Sequence, residues 1–158
     1  MNVLVTGASR GIGATVAERL VAAGHRVVLM ARSSEALTTA AADLGQEVAL
    51  AAPGDVGEAE ACRRAVDLAV ETWGYLDGLV NAAGAWVDDP LIEADAAAID
   101  RFVRTDVNGA LQVTRAALPA LRDAEDGGRL VHINGLQGLI RIRPPVLYAA
   151  VESAVRGL

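Results

Sequence analysis

The sequence predicts an α/β fold: a doubly wound parallel sheet of five strands in the order 3-2-1-4-5, with helices on both faces. Three observations carry this. Short apolar runs alternate with helix-period segments along the whole chain, the pattern of parallel strands joined by crossover helices. The apolar runs are continuous rather than alternating, as strands covered on both faces require. A glycine-rich turn stands between the first run and the first helix.

Each element follows from local pattern. Val3 to Thr6 is the first strand. A helix from Gly11 to Ala23 repeats Ile12, Val16 and Leu20 on one face, and Gly24 closes it. Val27 to Met30 is the second strand. A helix from Ser34 to Asp43 ends at Gly45, and Val48 to Ala51 is the third strand. Pro53-Gly54-Asp55 reads as loop, residues 58–72 as helix, and Trp73-Gly74 as a break. Leu79 and Val80 form the fourth strand, ending at Asn81-Ala82-Ala83-Gly84. After a loop through Pro90, a long helical region runs from Ala96 to Leu121. Leu130 to Ile133 is the fifth strand, and a last helix begins at Val146.

Composition narrows the function. The 158 residues fit one domain, 1–158. Apolar residues make up 53% but aromatics only 3%, so the core is built from Ala, Val, Leu and Ile. Net charge is −6 and Lys is absent; without a basic stripe to displace counterions, nucleic acid is not an expected partner. Cys62 is the lone cysteine, so no internal disulfide forms, and no Cys/His cluster has metal-ligand spacing. No apolar stretch reaches the ~20 residues of a membrane helix. The chain opens directly into a strand-like run rather than a targeting segment, and the expected location is cytoplasmic.

The glycine loop carries the chemistry. In Thr6-Gly7-Ala8-Ser9-Arg10-Gly11-Ile12-Gly13 the chain must turn sharply, bring backbone close to phosphate and pack a helix tightly on the sheet. The helix start offers free N–H groups and partial positive charge to a pyrophosphate. This is a Rossmann-type dinucleotide site, although a purely structural turn would use the same residues. NAD sites place an acidic residue at the end of the second strand for the ribose 2′-hydroxyl. Here that strand ends in Met30-Ala31-Arg32-Ser33. Arg10 and Arg32 suit a 2′-phosphate instead. The expected cofactor is NADP, with NAD the second choice.

These motifs resemble the short-chain dehydrogenase/reductase family along the whole chain. The spacing Thr6-Gly7-x-x-x-Gly11-x-Gly13 is similar to the family fingerprint. Asp55-Val56 resembles its adenine-binding pair, and Leu76-Asp77-Gly78-Leu79-Val80-Asn81-Ala82-Ala83-Gly84 its fourth-strand motif. Gly109, Leu118 and Pro119 fit its long helix, and Tyr148 its active-site tyrosine. The resemblance implies cofactor contacts at Gly7, Ser9, Arg10, Gly11, Ile12, Gly13, Arg32, Asp55, Val56, Asn81, Ala82 and Gly84. It implies a small carbonyl or alcohol substrate, and catalysis through Tyr148 assisted by Ser, Lys and Asn.

Three of those roles are altered. Gly135 stands thirteen residues before Tyr148, where the resemblance puts Ser; Glu152 stands four after it, where it puts Lys; Asp106 takes the Asn position. A carboxylate near Tyr148 stabilises the neutral phenol and opposes its ionisation. Glu152 is expected to pair with Arg156 as a solvated i,i+4 bridge. Leu158 falls ten residues past Tyr148, where the family continues with further strands and a substrate loop. The resemblance therefore implies a whole adenine and pyrophosphate half, a partial nicotinamide half, and an exposed fifth-strand edge that seeks a homo- or hetero-oligomeric partner.

Four readings stay open: an NADP(H)-dependent oxidoreductase, a non-catalytic companion subunit, a decayed or incomplete reading frame with no function of its own, and repurposed acid/base chemistry by Asp106 and Glu152 in a dehydratase, cyclase or epimerase. Against the last stands the plainer view that both are solvated helix carboxylates. His25 reads as a loop residue and His132 as a partly buried, satisfied imidazole. Trp73 and Trp86 read as packing residues, with the cleft wall a second place for Trp86. Asp88-Asp89 reads as a solvated pair.

Overall fold

The computed structural model describes residues 1–85, 90–136 and 146–158. Trp86, Asp88, Asp89, Gln137 and Gly138 lie outside them. The elements are β1 (Asn2–Thr6), α1 (Gly11–Ala22), β2 (Arg26–Ala31), α2 (Ser34–Leu44), β3 (Ala49–Pro53), α3 (Ala59–Trp73), β4 (Gly78–Asn81), α4 (Ala96–Val103), α5 (Gly109–Arg122), β5 (Arg129–His132) and α6 (Val146–Arg156).

The sheet is parallel, in the order β3-β2-β1-β4-β5. Every residue of the central strand β1 is buried, which is why it reads as an unbroken apolar run. Val3, Val5, Val27 and Leu29 face one side, packing with Ala17, Leu37 and Ala41 of α1 and α2. Leu4, Val28, Met30 and Leu79 face the other, with Cys62, Ala65, Ala69, Val113 and Ala117 of α3 and α5. Each fully buried Leu or Val contributes about 1.5–3 kcal/mol. The small helix residues let both layers sit close to the sheet. A third cluster joins Phe102 of α4 to Leu147, Tyr148 and Val151 of α6, with the Phe102 and Tyr148 rings stacked at 6.0 Å.

Two details depart from the sequence expectation. Pro53, read as loop, is the last residue of β3 and lies opposite Ala31. β3 is an edge strand, so a missing N–H costs no ladder bond there. The long helical region contains a π-helical turn, Arg104–Asn108, between α4 and α5. Such turns concentrate at functional positions, and this one holds Asp106.

Trp73 packs under the Arg26 guanidinium, 5.4 Å from the ring centre. The thiol of Cys62 is buried and donates to the Val56 carbonyl oxygen at 3.2 Å. Burial and the nearby Asp55 charge push it up to about 11, so it is an inert packing group.

Candidate nucleotide cleft and proton-transfer site

The carboxyl ends of β1, β2 and β4 open onto a cleft of about 580 Å³. Its shape begins with Gly7, which takes φ +65°. A Cβ there would stand 2.6 Å from the Ala82 carbonyl oxygen, so β1 and β4 meet beneath the loop only because the residue is glycine. Thr6 ties the same two strands together. Its hydroxyl donates to Asn81 Oδ1 at 2.5 Å and accepts from the N–H groups of Ala82 and Ala83 at 3.2 and 3.0 Å. The loop and the Ala82–Gly84 segment are thereby held as one rigid wall.

The lining includes Gly7, Ser9, Arg10, Gly11, Arg32, Asp55, Val56, Ala82 and Gly84, all proposed from sequence. Arg10 and Arg32 are exposed, and among the described residues neither is in an ion pair. Three further residues of that set are not among those lining the cleft. Ile12 is 62% exposed on α1, Gly13 is buried under the loop, and Asn81 is buried beneath the cleft floor, bonded to Thr6 and to His132. The predicted contact set lacked Ala31, Ser33, Ala36, Gly54, Ala83 and Thr105, which also line the cleft. Thr105 could have been found as the neighbour of Asp106, the position singled out on the long helix.

Asp55 Oδ1 accepts from the Gly57 N–H at 2.9 Å, and Oδ2 lies 3.7 Å from Arg104, which also reaches Glu58 at 3.3 Å. Val56 is buried against Gly109, where a Cβ would come within 2.6 Å of its Cγ2. That contact explains the glycine in the long helix.

Tyr148 is not among the residues lining that cleft; it is buried in the third cluster. Asp106 and Glu152 lie there too, 6% and 7% exposed, so they are not solvated helix charges. Nor does Glu152 bridge to Arg156. Its carboxylate accepts from the Gly135 N–H and bonds the Tyr148 phenol, and no Glu152–Arg156 ion pair occurs among the described residues. The cause is tertiary: α6 turns the Leu147, Tyr148, Val151, Val155 stripe inward and Glu152 goes with it. Both Asp106 oxygens accept from the Ala85 N–H at 3.1 Å. Burial pushes Asp106 up to about 7, with Glu152 adding to the rise and the Ala85 N–H opposing it. Burial, then the Glu152 charge and hydrogen bond, push Tyr148 up to about 12. Asn134 Nδ2 donates to the Glu152 carbonyl oxygen at 2.9 Å. His132 is lowered by burial and meets Asn81 and Thr114, a satisfied imidazole as expected.

No helix among the described residues is long and apolar enough to cross a membrane. None of their His, Cys, Asp and Glu side chains form a group of three or more able to hold a metal ion.

Comparison with known proteins agrees with this architecture. The sequence profile described as short chain dehydrogenase matches residues 1–158. The chain is 30% identical over 152 residues to an uncharacterized oxidoreductase of Staphylococcus aureus, covering 96% of this chain and 65% of the relative. It is 35% identical over 163 aligned positions to the trans-4-hydroxycyclohexanecarboxylate dehydrogenase of Sinomonas cyclohexanicum, covering 98% of this chain and 62% of that one. Among solved structures, serine dehydrogenase from Escherichia coli superposes with TM-score 0.90 at 28% identity, over 99% of this chain and 72% of that chain. A short chain dehydrogenase from Mycobacterium smegmatis gives 0.90 at 30%, over 99% and 66%. The chain thus spans less than two-thirds of the length of the first two relatives. With the glycine loop, the strand order and the tyrosine helix all in place, the chain belongs to the short-chain dehydrogenase family.

Proposed function

We propose that this chain binds NADP(H) in the cleft and that hydride-transfer chemistry at Tyr148 is suppressed. The observation that carries the first part is the pair of exposed guanidinium groups, Arg10 and Arg32, beside the glycine loop, neither in an ion pair among the described residues. A 2′-phosphate offers each a charge-assisted, bidentate partner. In this reading Gly7, Ser9, Gly11 and the helix start at Ile12 face the pyrophosphate, Gly13 lets α1 seat close beneath that loop, Asp55 and Val56 meet the adenine, and Asn81, Ala82 and Gly84 hold the wall next to it. The bound nicotinamide would supply or accept hydride. The suppressed step is the proton transfer that must accompany it, because a neutral phenol bonded to Glu152 is a poor base.

The Arg10→Ala, Arg32→Ala double variant is expected to lose at least about 100-fold in NADPH affinity, from about 1.5–3 kcal/mol for each of two charge-assisted contacts. NADH affinity should hardly change. Calorimetric titration with both nucleotides checks this, and NADH binding as tight as NADPH in the unaltered chain sinks the assignment.

The proposal extends to a cytoplasmic protein that meets a small carbonyl or alcohol ligand and works as a homo- or hetero-oligomer. Exposed apolar side chains support the last point: Leu130 and Val131 of β5, and Ile133 just after it, are each more than a third exposed. Light scattering on the purified chain should give a mass above one protomer; a monodisperse monomer that also fails to retain a partner in lysate argues against it.

A further inference from the structure

Asp106 and Glu152 are two buried carboxyl groups on different elements, one on the π turn and one on α6. Their surroundings explain why they matter. α6 packs on α4 and on the π turn, and it is held there by the Phe102–Tyr148 stack and the small Leu147–Val151 cluster. The remaining ties are polar and converge on the same place. From the loop after β4 comes the Ala85 N–H onto Asp106. From the loop after β5 come Gly135 N–H onto the Glu152 carboxylate and Asn134 Nδ2 onto the Glu152 carbonyl. From α6 itself comes the Tyr148 phenol.

Among the described residues no cation faces either carboxyl. Arg104, two residues before Asp106, is turned to Asp55 and Glu58. Arg101 and Arg156 are exposed. His132 of β5 is occupied by Asn81 and Thr114. Two buried carboxylates with no counter-ion among the described residues repel, so a proton kept on one of them favours the docked α6.

We infer that Asp106 is a proton-operated latch for α6: protonated, it lets Glu152 and Tyr148 seat against the π turn, and deprotonated, it drives α6 off that seat. The inference concerns the fold around the cluster and does not depend on nucleotide binding. Its sign follows from linkage. In the undocked state Asp106 is solvated and loses its proton near its usual 3.8; docked, it keeps it to about 7. Docking is therefore fully supported below about pH 4, weakens as pH rises toward 7, and changes no further from this group above that.

The test is hydrogen exchange at the amides of residues 147–156 in the nucleotide-free chain, corrected for intrinsic rates, at pH 5 and pH 8. Protection should fall at least about tenfold across this range, the equivalent of one pH unit of differential proton affinity. In Asp106→Asn, whose side chain keeps the acceptor for Ala85 and cannot ionise, protection should be the same at both pH values. Equal protection at both pH values in the unaltered chain, or an undiminished pH dependence in Asp106→Asn, overturns the latch. If the variant does not fold, carbon-13 titration of the Asp106 carboxyl in the unaltered chain decides. A midpoint near neutrality supports the latch, and one near 4 overturns it.

Discussion

Gly13→Ala should destabilise the chain by about 2–3 kcal/mol, near the top of the range for overpacking a tight contact, and abolish measurable nucleotide binding. A Cβ on Gly13 would stand 2.5 Å from the Gly7 carbonyl oxygen and 2.9 Å from that of Thr6. Both neighbours are backbone, and both belong to the strand end and turn that shape the cleft. No rotamer change relieves such a clash; α1 must move off β1. That movement carries the helix N-terminus away from the place a pyrophosphate would occupy. The gain in helix propensity from Gly to Ala, at most about 1 kcal/mol, does not offset it. Gly11 is the internal control. It takes φ +60° but has open space where a Cβ would go, so Gly11→Ala meets only the backbone penalty of about 1–2 kcal/mol. Urea unfolding with an unchanged slope should rank Gly13→Ala as the costlier of the two, and NADPH titration should separate them further. A Gly13→Ala protein as stable as Gly11→Ala would mean that α1 does not need its close seat.

That contrast also marks what sequence could say. The strand order and the glycine loop were legible because they rest on local demands: unbroken apolar runs at Val3–Thr6 and Val27–Met30, and glycines where a side chain would hit backbone. The third-strand boundary slipped because Val48 is apolar yet lies in the turn after Gly45, while Pro53 is tolerated at an edge. Cleft residues supplied by distant segments, such as Thr105, needed the fold. Glu152 is the instructive error. A local i,i+4 rule pointed to Arg156, but tertiary packing of α6 overrode it. The signal was nevertheless present. Leu147, Tyr148, Val151 and Val155 make an apolar stripe, and Glu152, four residues after Tyr148, falls within it. Asp106 likewise follows Phe102 by four residues on a buried face. A carboxylate inside an apolar stripe, near an active-site tyrosine, is the pattern that should have outweighed surface pairing.

The second large effect concerns Tyr148 itself. In a Tyr75→Phe background, which leaves Tyr148 as the single tyrosine of the two in the chain, phenol absorbance should show no ionisation until about pH 12. Burial is the leading cause, and the Glu152 charge and hydrogen bond come next. At pH 7 such a phenol is ionised to about one part in 10⁵, against about one in 10³ for an unperturbed tyrosine. A proton relay that begins from phenolate is therefore disadvantaged about 100-fold before any question of substrate. Glu152→Gln removes the charge while keeping an acceptor for Gly135, and should bring the midpoint down toward the ordinary 10. Glu152→Lys should bring it lower still, since a nearby cation favours the phenolate. An unchanged midpoint in both variants would show that burial alone holds the phenol neutral and that Glu152 is a bystander. If Glu152 is what silences the tyrosine, the phenolate share at neutral pH should rise in the order Glu152, Gln, Lys. Any NADP+-dependent oxidation of simple alcohols, in which the phenolate takes the substrate's hydroxyl proton as hydride leaves for the nicotinamide, should rise in that same order.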